Sequence, residues 1–444
     1  MPFIANTDAQ RREMLDAIGV AGLDDLFADI PPELRCGGLN VPPGLTEQEA
    51  RRKLSALAER NVSGHVSFLG GGFYDHFVPA ALEALVSRSE FYTAYTPYQP
   101  EISQGTLQAI YEFQSAICRL VDMEVANASL YDGGTAVYEA IMMALRITRR
   151  NQVIVDDSVS PIHRKMVRSY TSNLGIDLAE TPSREGLPDR KAIGSLLSDA
   201  TAAVIVQVPN FFGCIDDVSD LAESVHARGG LLIVSCYPIA MGLLKPPGQM
   251  GADIVVGEGQ GLGMPVSFGG PYLGFMASRR KHVRKMPGRI AGRTLDAQGR
   301  EGFVLTLQAR EQHIRREKAT SNICTNQGLC ALTALVYLSL LGKHGLRELA
   351  EVCAEKADYA RRRLLAVPGV TMRFPTRWYF NEFVLNLPIA ADKVIRGLFT
   401  RGIAAGFPLG RYWPELANCL LVAVTEKRTK EDIDYLAHSL EVLL

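Results

Sequence analysis

No lysine stands between Lys245 and Lys281, although the chain carries 47 Lys and Arg in its 444 residues. Other absences narrow the class. The opening residues, MPFIANTDAQ, lack the basic stretch and apolar run of an export signal. The longest apolar run, 329–341, is too short to cross a bilayer and ends at Gly342-Lys343, so a buried helix is expected there. Eight cysteines (36, 118, 214, 236, 324, 330, 353, 419) show no C-x-x-C spacing. They read as reduced thiols, several packed in cores, with no metal site expected. A net charge of -1 gives no field that would favour nucleic acid or an anionic membrane, so neither is an expected partner. A cytoplasmic protein is the expectation.

What remains is the composition of an ordinary globular protein, 47% hydrophobic and 21% charged, long enough for one large domain and a smaller one. Thr7-x-x-Gln10 and Thr46-x-x-Glu49 are capping boxes that open helices in an N-terminal extension, residues 1–68. Gly70-Gly71-Gly72 leads to a helix at 78–87 and an aromatic loop at 91–101 with Tyr95 and Tyr98. That loop reads either as packed core or as a binding or subunit-contact loop. A helix over 103–121 follows, with Ile110, Phe113, Ile117 and Leu120 on one face.

From 130 to 276, apolar runs at 153–155, 176–178, 203–208, 231–234, 254–256 and 272–276 alternate with helical stretches. Strands apolar throughout predict a mainly parallel sheet of about seven strands covered on both faces. Residues 69–340 form this α/β domain. Residues 341–444, with helices expected over 326–341 and 346–366 leading into them, form a small α+β domain. The Arg- and Lys-rich region 277–318 reads as a solvated helix face and a loop, rather than a docking patch for an acidic partner.

Two glycine-rich loops could carry chemistry. Asp132-Gly133-Gly134-Thr135-Ala136 opens a helix whose free N–H groups and dipole suit an anion, a plausible phosphate cup. The loop 257–263, GEGQGLG, follows a buried strand, as active-site loops of α/β proteins do. Its spacing fails the dinucleotide fingerprint G-x-G-x-x-G, and it has no Walker A lysine. The order of parts matches fold-type I pyridoxal-phosphate enzymes, whose chemistry needs a Schiff-base lysine and a carboxylate beside the pyridine nitrogen. Strand 231–237, LLIVSCY, offers no Asp, and the loop offers no lysine. Lys245, followed by two prolines and placed before the last strand, is a poor substitute.

Several segments closely resemble the P-protein of the glycine cleavage system, glycine dehydrogenase (decarboxylating). They are IPPELR (30–35), FLGGGFYDH (68–76), YTPYQPEISQG (95–105), YDGGT (131–135), GEGQ (257–260), SFGGPY (267–272) and REKATSN (316–322). The likeness runs past residue 330 and is to the N-terminal half of that protein, the subunit 1 type. It implies a fold-type I α/β architecture whose cofactor lysine belongs to the homologous other half. Gln260 or Gly261 then stands where the lysine would be, and Gly133, Gly134 and Thr135 form a vestigial cup. The implied activity is decarboxylation of glycine and transfer of the aminomethyl group to the lipoyl arm of H-protein. The implied partner is a lysine-bearing subunit 2, two of each subunit, which would hold the pyridoxal phosphate. Tyr95, Tyr98 and Thr320 are candidates to wall the partner's site. Core packing is the alternative for either tyrosine, and a helix cap is the alternative for Thr320. A pure scaffold for subunit 2 and an independent enzyme using Lys245 are the competing readings.

Overall fold

The computed structural model describes residues 5–444 apart from 93–95, 268, 322, 324 and 325. The chain divides into two units, one ending at Ser63 and the other running from Gly64 to Leu444. In the first, helices Asp8–Ile18 and Glu47–Ala58 both begin with the expected capping boxes. Among its described residues only Leu15 is buried.

The second unit is built on seven strands: β1 (Val125–Ala126), β2 (Gln152–Asp156), β3 (Asp177–Thr181), β4 (Thr201–Val208), β5 (Leu231–Cys236), β6 (Ile254–Glu258) and β7 (Gly274–Ser278). Their order across the sheet is β1-β7-β6-β5-β4-β2-β3. The five strands from β6 to β3 run parallel, and β7 is antiparallel to both its neighbours. The mainly parallel sheet expected from the sequence is therefore present. β1 was not foreseen, because two residues carry no readable period.

Alternate side chains go to opposite faces. Val204, Val206, Leu232, Val234 and Val255 enter one core, while Ala203, Ile205, Leu231, Ile233, Ile254 and Val256 enter another. An uninterrupted apolar run splits in this way only when both faces are covered. Each such side chain contributes about 1.5–3 kcal/mol when fully buried, so the strands outweigh any one polar contact at their ends. Helix Gly133–Thr148 closes the second core with Ala136, Val137, Ala140 and Ile141. Helix Gln104–Val121 presents Phe113 and Ile117 to the first.

The two helices expected over 326–341 and 346–366 are present within Gly328–Leu365, separated at Gly342, whose backbone is not helical (φ 61°, ψ -173°). Only glycine adopts that conformation readily. That break falls beside the expected domain border at 340/341, while residues 64–444 cluster as one unit. A four-stranded antiparallel sheet (Thr371–Met372, Glu382–Asn386, Cys419–Ala423, Phe407–Pro408) nevertheless has its own core around Phe383, Leu385, Leu420 and Val422. Segment 66–68 joins it: Val66–Ser67 pairs with Ile403–Ala404, and Ala423 N donates to Phe68 O at 3.0 Å. The glycine-rich stretch after Phe68 is thereby delivered to the end of β6.

The region 277–318 corrects its expectation. Its middle is a β-hairpin, Ile290–Leu295 against Glu301–Thr306, and its Arg289 is buried. The hairpin has few apolar residues at alternate positions, which is why charge density dominated its reading.

Candidate functional site

Helix Gly133–Thr148 starts at the C-terminal edge of the sheet, and its first turn is the predicted cup. Asp132 is the N-cap, with its carboxylate accepting from Thr135 N at 2.8 Å and from Thr135 Oγ1 at 3.1 Å. Gly133 N donates to Glu258 Oε2 at 2.8 Å. Glu258, the last residue of β6, takes two more main-chain bonds on Oε1, from Gln260 N at 2.9 Å and Leu273 N at 3.1 Å. Burial drives its carboxyl up to about 8 despite these three donors, with nearby Asp132 adding to the rise. A Cβ on Gly133 would lie 3.0 Å from both Glu258 Cβ and His163 Cε1, and one on Gly134 would lie 2.3 Å from Met166 Sδ. His163 is buried, which pulls its imidazole down to about 4. The first turn of this helix is occupied from within, with the Glu258 carboxyl group of the chain itself on the Gly133 N–H that an external anion would use.

Gln260, one of the two positions (with Gly261) expected at the place of the missing lysine, is fully buried. Its amide is committed on both ends: Oε1 accepts from Tyr74 N at 2.9 Å, and Nε2 donates to Tyr74 O at 3.1 Å and Met264 O at 2.8 Å. Tyr74 packs against Tyr237 with the rings tilted by 38° and their centroids 4.3 Å apart, and its hydroxyl donates to Glu382 Oε2 at 2.6 Å. Glu382 Oε1 accepts from Gly71 N at 2.6 Å, and burial raises this carboxyl to about 7. Gly261 backs onto His76 and Tyr237, whose nearest ring atoms would be 3.3 Å from an added Cβ. The space beside the loop is thus packed with side chains.

Pyridoxal phosphate, the cofactor that the resemblance implies, is not matched by these residues. The cup N–H is taken by Glu258, the lysine position holds a saturated amide, and β5 ends in Ser235 and Cys236. Lys245 lies on the surface, its ammonium 3.0 Å from Asp217 Oδ2 and 3.1 Å from Ser219 Oγ.

Of the other predicted residues, Tyr95 lies outside the described residues. Tyr98 is half exposed, and its hydroxyl accepts from Arg289 Nη2 at 3.1 Å. Its ring meets His313 edge-on at 5.3 Å, and Arg289 approaches Glu311 at 3.6 Å. Thr320 N donates to Arg310 O at 3.0 Å. Thr320 thus contacts Arg310 directly, whereas Tyr98 touches Arg289 and His313 and is linked to Glu311 only through Arg289. The cap alternative for Thr320 does not hold, because the next long helix begins at Gly328 with Gln327 as its N-cap. Ser321 beside it donates to Glu139 Oε1 of the cup helix at 2.7 Å. An open cavity of about 360 Å³ adjoins the aromatic loop, lined by Pro97, Ile110, Pro271 and residues 326–332.

Sequence reasoning missed Glu258, Tyr74 and Glu382. Glu258 left a signal: a carboxylate ending an apolar strand between two glycines must find several N–H partners to be buried.

The family model described as glycine cleavage system P-protein matches residues 1–440. A probable glycine dehydrogenase (decarboxylating) subunit 1 of Geotalea uraniireducens is 56% identical over 443 residues, 99% of either chain. One of Nitratidesulfovibrio vulgaris is 54% identical over 444 residues, the whole of both. Among solved structures, an inhibitor-bound glycine decarboxylase (P-protein) superimposes with a TM-score of 0.92 at 44% identity, covering 100% of each chain. A Burkholderia pseudomallei sphingosine-1-phosphate lyase gives a TM-score of 0.67 at 16% identity over 92% of each chain, a likeness of fold-type I architecture alone. The chain belongs to the glycine cleavage system P-protein family, as a member of its subunit 1 type.

Proposed function

We propose that this chain is the subunit of the glycine cleavage P-protein that does not carry the cofactor. With a homologous, lysine-bearing subunit 2, two of each, it decarboxylates glycine and passes the aminomethyl group to the lipoyl arm of H-protein in the cytoplasm. Pyridoxal phosphate supplies the electron sink on the partner. The observation that carries this reading is the pair Glu258 and Gln260: one occupies the phosphate cup, and the other replaces the lysine with an amide bound at both ends. A chain closed in this way works through what it presents to its partner. Tyr95, Tyr98 and Thr320 wall the partner's site, with Arg289 holding the Tyr98 hydroxyl.

Two experiments test this. Purified alone with pyridoxal phosphate, the chain gives no cofactor–lysine absorbance and no lysine trapped by borohydride. A trapped Lys245 would overturn the assignment. Co-expressed with subunit 2, Tyr98→Phe or Thr320→Ala lowers glycine decarboxylation about 10-fold or more, the loss expected when one positioned polar group is removed. Unchanged kinetics in an intact complex would leave the chain a scaffold.

A further inference from the structure

Behind Gly261, outside the cup, three side chains from three separate elements converge. His76 follows the glycine-rich stretch, Cys353 lies on helix Gly328–Leu365, and Glu426 follows the last strand of the four-stranded sheet. His76 Nδ1 is 2.7 Å from Glu426 Oε2, and Cys353 Sγ is 3.5 Å from the same oxygen. All three donor atoms lie within 4.8 Å of one another. His76 and Cys353 are buried, and the Glu426 side chain is 16% exposed, which leaves an access route from solvent.

The frame around them is fixed. Phe77 N donates to Glu426 Oε1 at 2.6 Å, Thr425 Oγ1 donates to Asp75 O at 2.8 Å, and Lys427 pairs with Asp75 at 2.7 Å. Glu426 thus keeps Oε2 for the cluster while Oε1 is held by the main chain. Lys356 donates to the main-chain oxygen of Glu426. The hydroxyl of Tyr237 sits on His76 Nε2.

We propose that His76 Nδ1, Cys353 Sγ and Glu426 Oε2 are the protein ligands of a zinc ion, with a fourth position for water. Zinc bonds of about 2.3 Å to sulfur and about 2.0–2.2 Å to nitrogen and oxygen place tetrahedral ligands roughly 3.4–3.6 Å apart. The Sγ–Oε2 separation already has this value, and Nδ1–Oε2 needs to open by about 0.7 Å. The donor set of thiolate, imidazole and carboxylate is the one zinc takes, and its two negative charges balance the dication. On binding, the Cys353 thiol proton passes to solvent as the Zn–S bond forms. His76 exchanges its Nδ1 proton for one on Nε2, which then donates to the Tyr237 oxygen. That hydroxyl is the kind of outer partner that orients a ligating imidazole. No C-x-x-C motif signals this arrangement, because its ligands are 277 and 73 positions apart along the chain (353 − 76 and 426 − 353).

The test uses the full-length chain in a Cys36→Ser background, which removes the one exposed thiol among the described residues. After chelation and dialysis against zinc, one zinc per chain is expected by elemental analysis. Cobalt(II) should give a thiolate-to-metal charge-transfer band and a tetrahedral visible spectrum. Cys353→Ser abolishes the band, Glu426→Gln weakens zinc binding by about 100-fold, and Tyr237→Phe weakens it by about 10-fold. Zinc raises the melting temperature of the parent and leaves that of Cys353→Ser unchanged. Should the variants fail to fold, the cobalt spectrum of the parent decides. A spectrum without the sulfur band, or zinc content unchanged by Cys353→Ser, would overturn the site and leave the cluster as hydrogen-bonded packing.

Discussion

Replacing Glu258 by alanine removes the acceptor for three buried main-chain donors at once: Gly133 N, Gln260 N and Leu273 N. A buried donor left unpaired costs about 1–3 kcal/mol, and water entering the vacated space recovers part of it, so the expected loss is about 3–5 kcal/mol. Against a usual total of about 5–15 kcal/mol, that is a large fraction. The loss also has a pH signature. Glu258 is held at about 8 in the folded chain, against 4.5 for an unburied glutamate. The folded state therefore binds this proton more tightly than the unfolded one. The stability it contributes is complete below about 4.5 and is lost as pH rises through about 8. The deficit of Glu258→Ala should accordingly be widest near pH 5 and narrow towards pH 9. Urea unfolding of parent and variant at pH 5, 7 and 9 measures both effects. Inorganic phosphate should restore the variant alone, by about 2.7 kcal/mol when its concentration is 100 times Kd. A deficit below about 1 kcal/mol, a deficit that grows with pH, or equal phosphate effects on both proteins would refute the claim that this carboxylate fills the cup.

Gln260→Lys should cost several kcal/mol by thermal or urea unfolding, since it removes the acceptor for Tyr74 N and buries an unpaired charge. It should also fail to give a borohydride-stable cofactor adduct; a stoichiometric adduct would show that the pocket is less closed than its contacts imply. Tyr74→Phe leaves Glu382 Oε2 without its donor and should lower stability by about 1–3 kcal/mol in urea unfolding at pH 8, above the about 7 at which Glu382 ionises. Gly213→Ala should destabilise by more than about 3 kcal/mol, because φ is +79° and the new Cβ would lie 2.1 Å from Glu382 O. A melting temperature within about 2 °C of the parent would count against that contact, since the per-residue unfolding entropy implies about 1 °C per kcal/mol in a chain of 444 residues.

The central sheet was legible because β2, β4, β5 and β6 are apolar at every residue that enters the two cores, and no other element tolerates that pattern at strand length. The cup was legible from Asp132 to Thr135, since N-caps and glycines announce helix starts. What fills it was not. Glu258 acts on a helix 125 positions away, and Tyr74 reaches Glu382 across 308. Polar contacts at that separation have no period and no spacing rule. The hairpin at 290–306 was hidden for a different reason: Arg293 and Glu301 pair across it, and their charge masked the strand alternation. Tyr98 and Thr320 were selected by resemblance, and only the fold reveals that one is held by Arg289 and the other by Arg310.

The carboxylate in the cup also changes what concentration means at this site. A free phosphate has to be present at a level near its dissociation constant, whereas the Glu258 side chain is tethered by its own strand within 2.8 Å of Gly133 N. Its effective concentration is on the order of millimolar or higher, and no dilution, dialysis or change in cellular phosphate lowers it. The helix terminus is consequently insensitive to every soluble anion that fold-type I relatives of this chain would compete for.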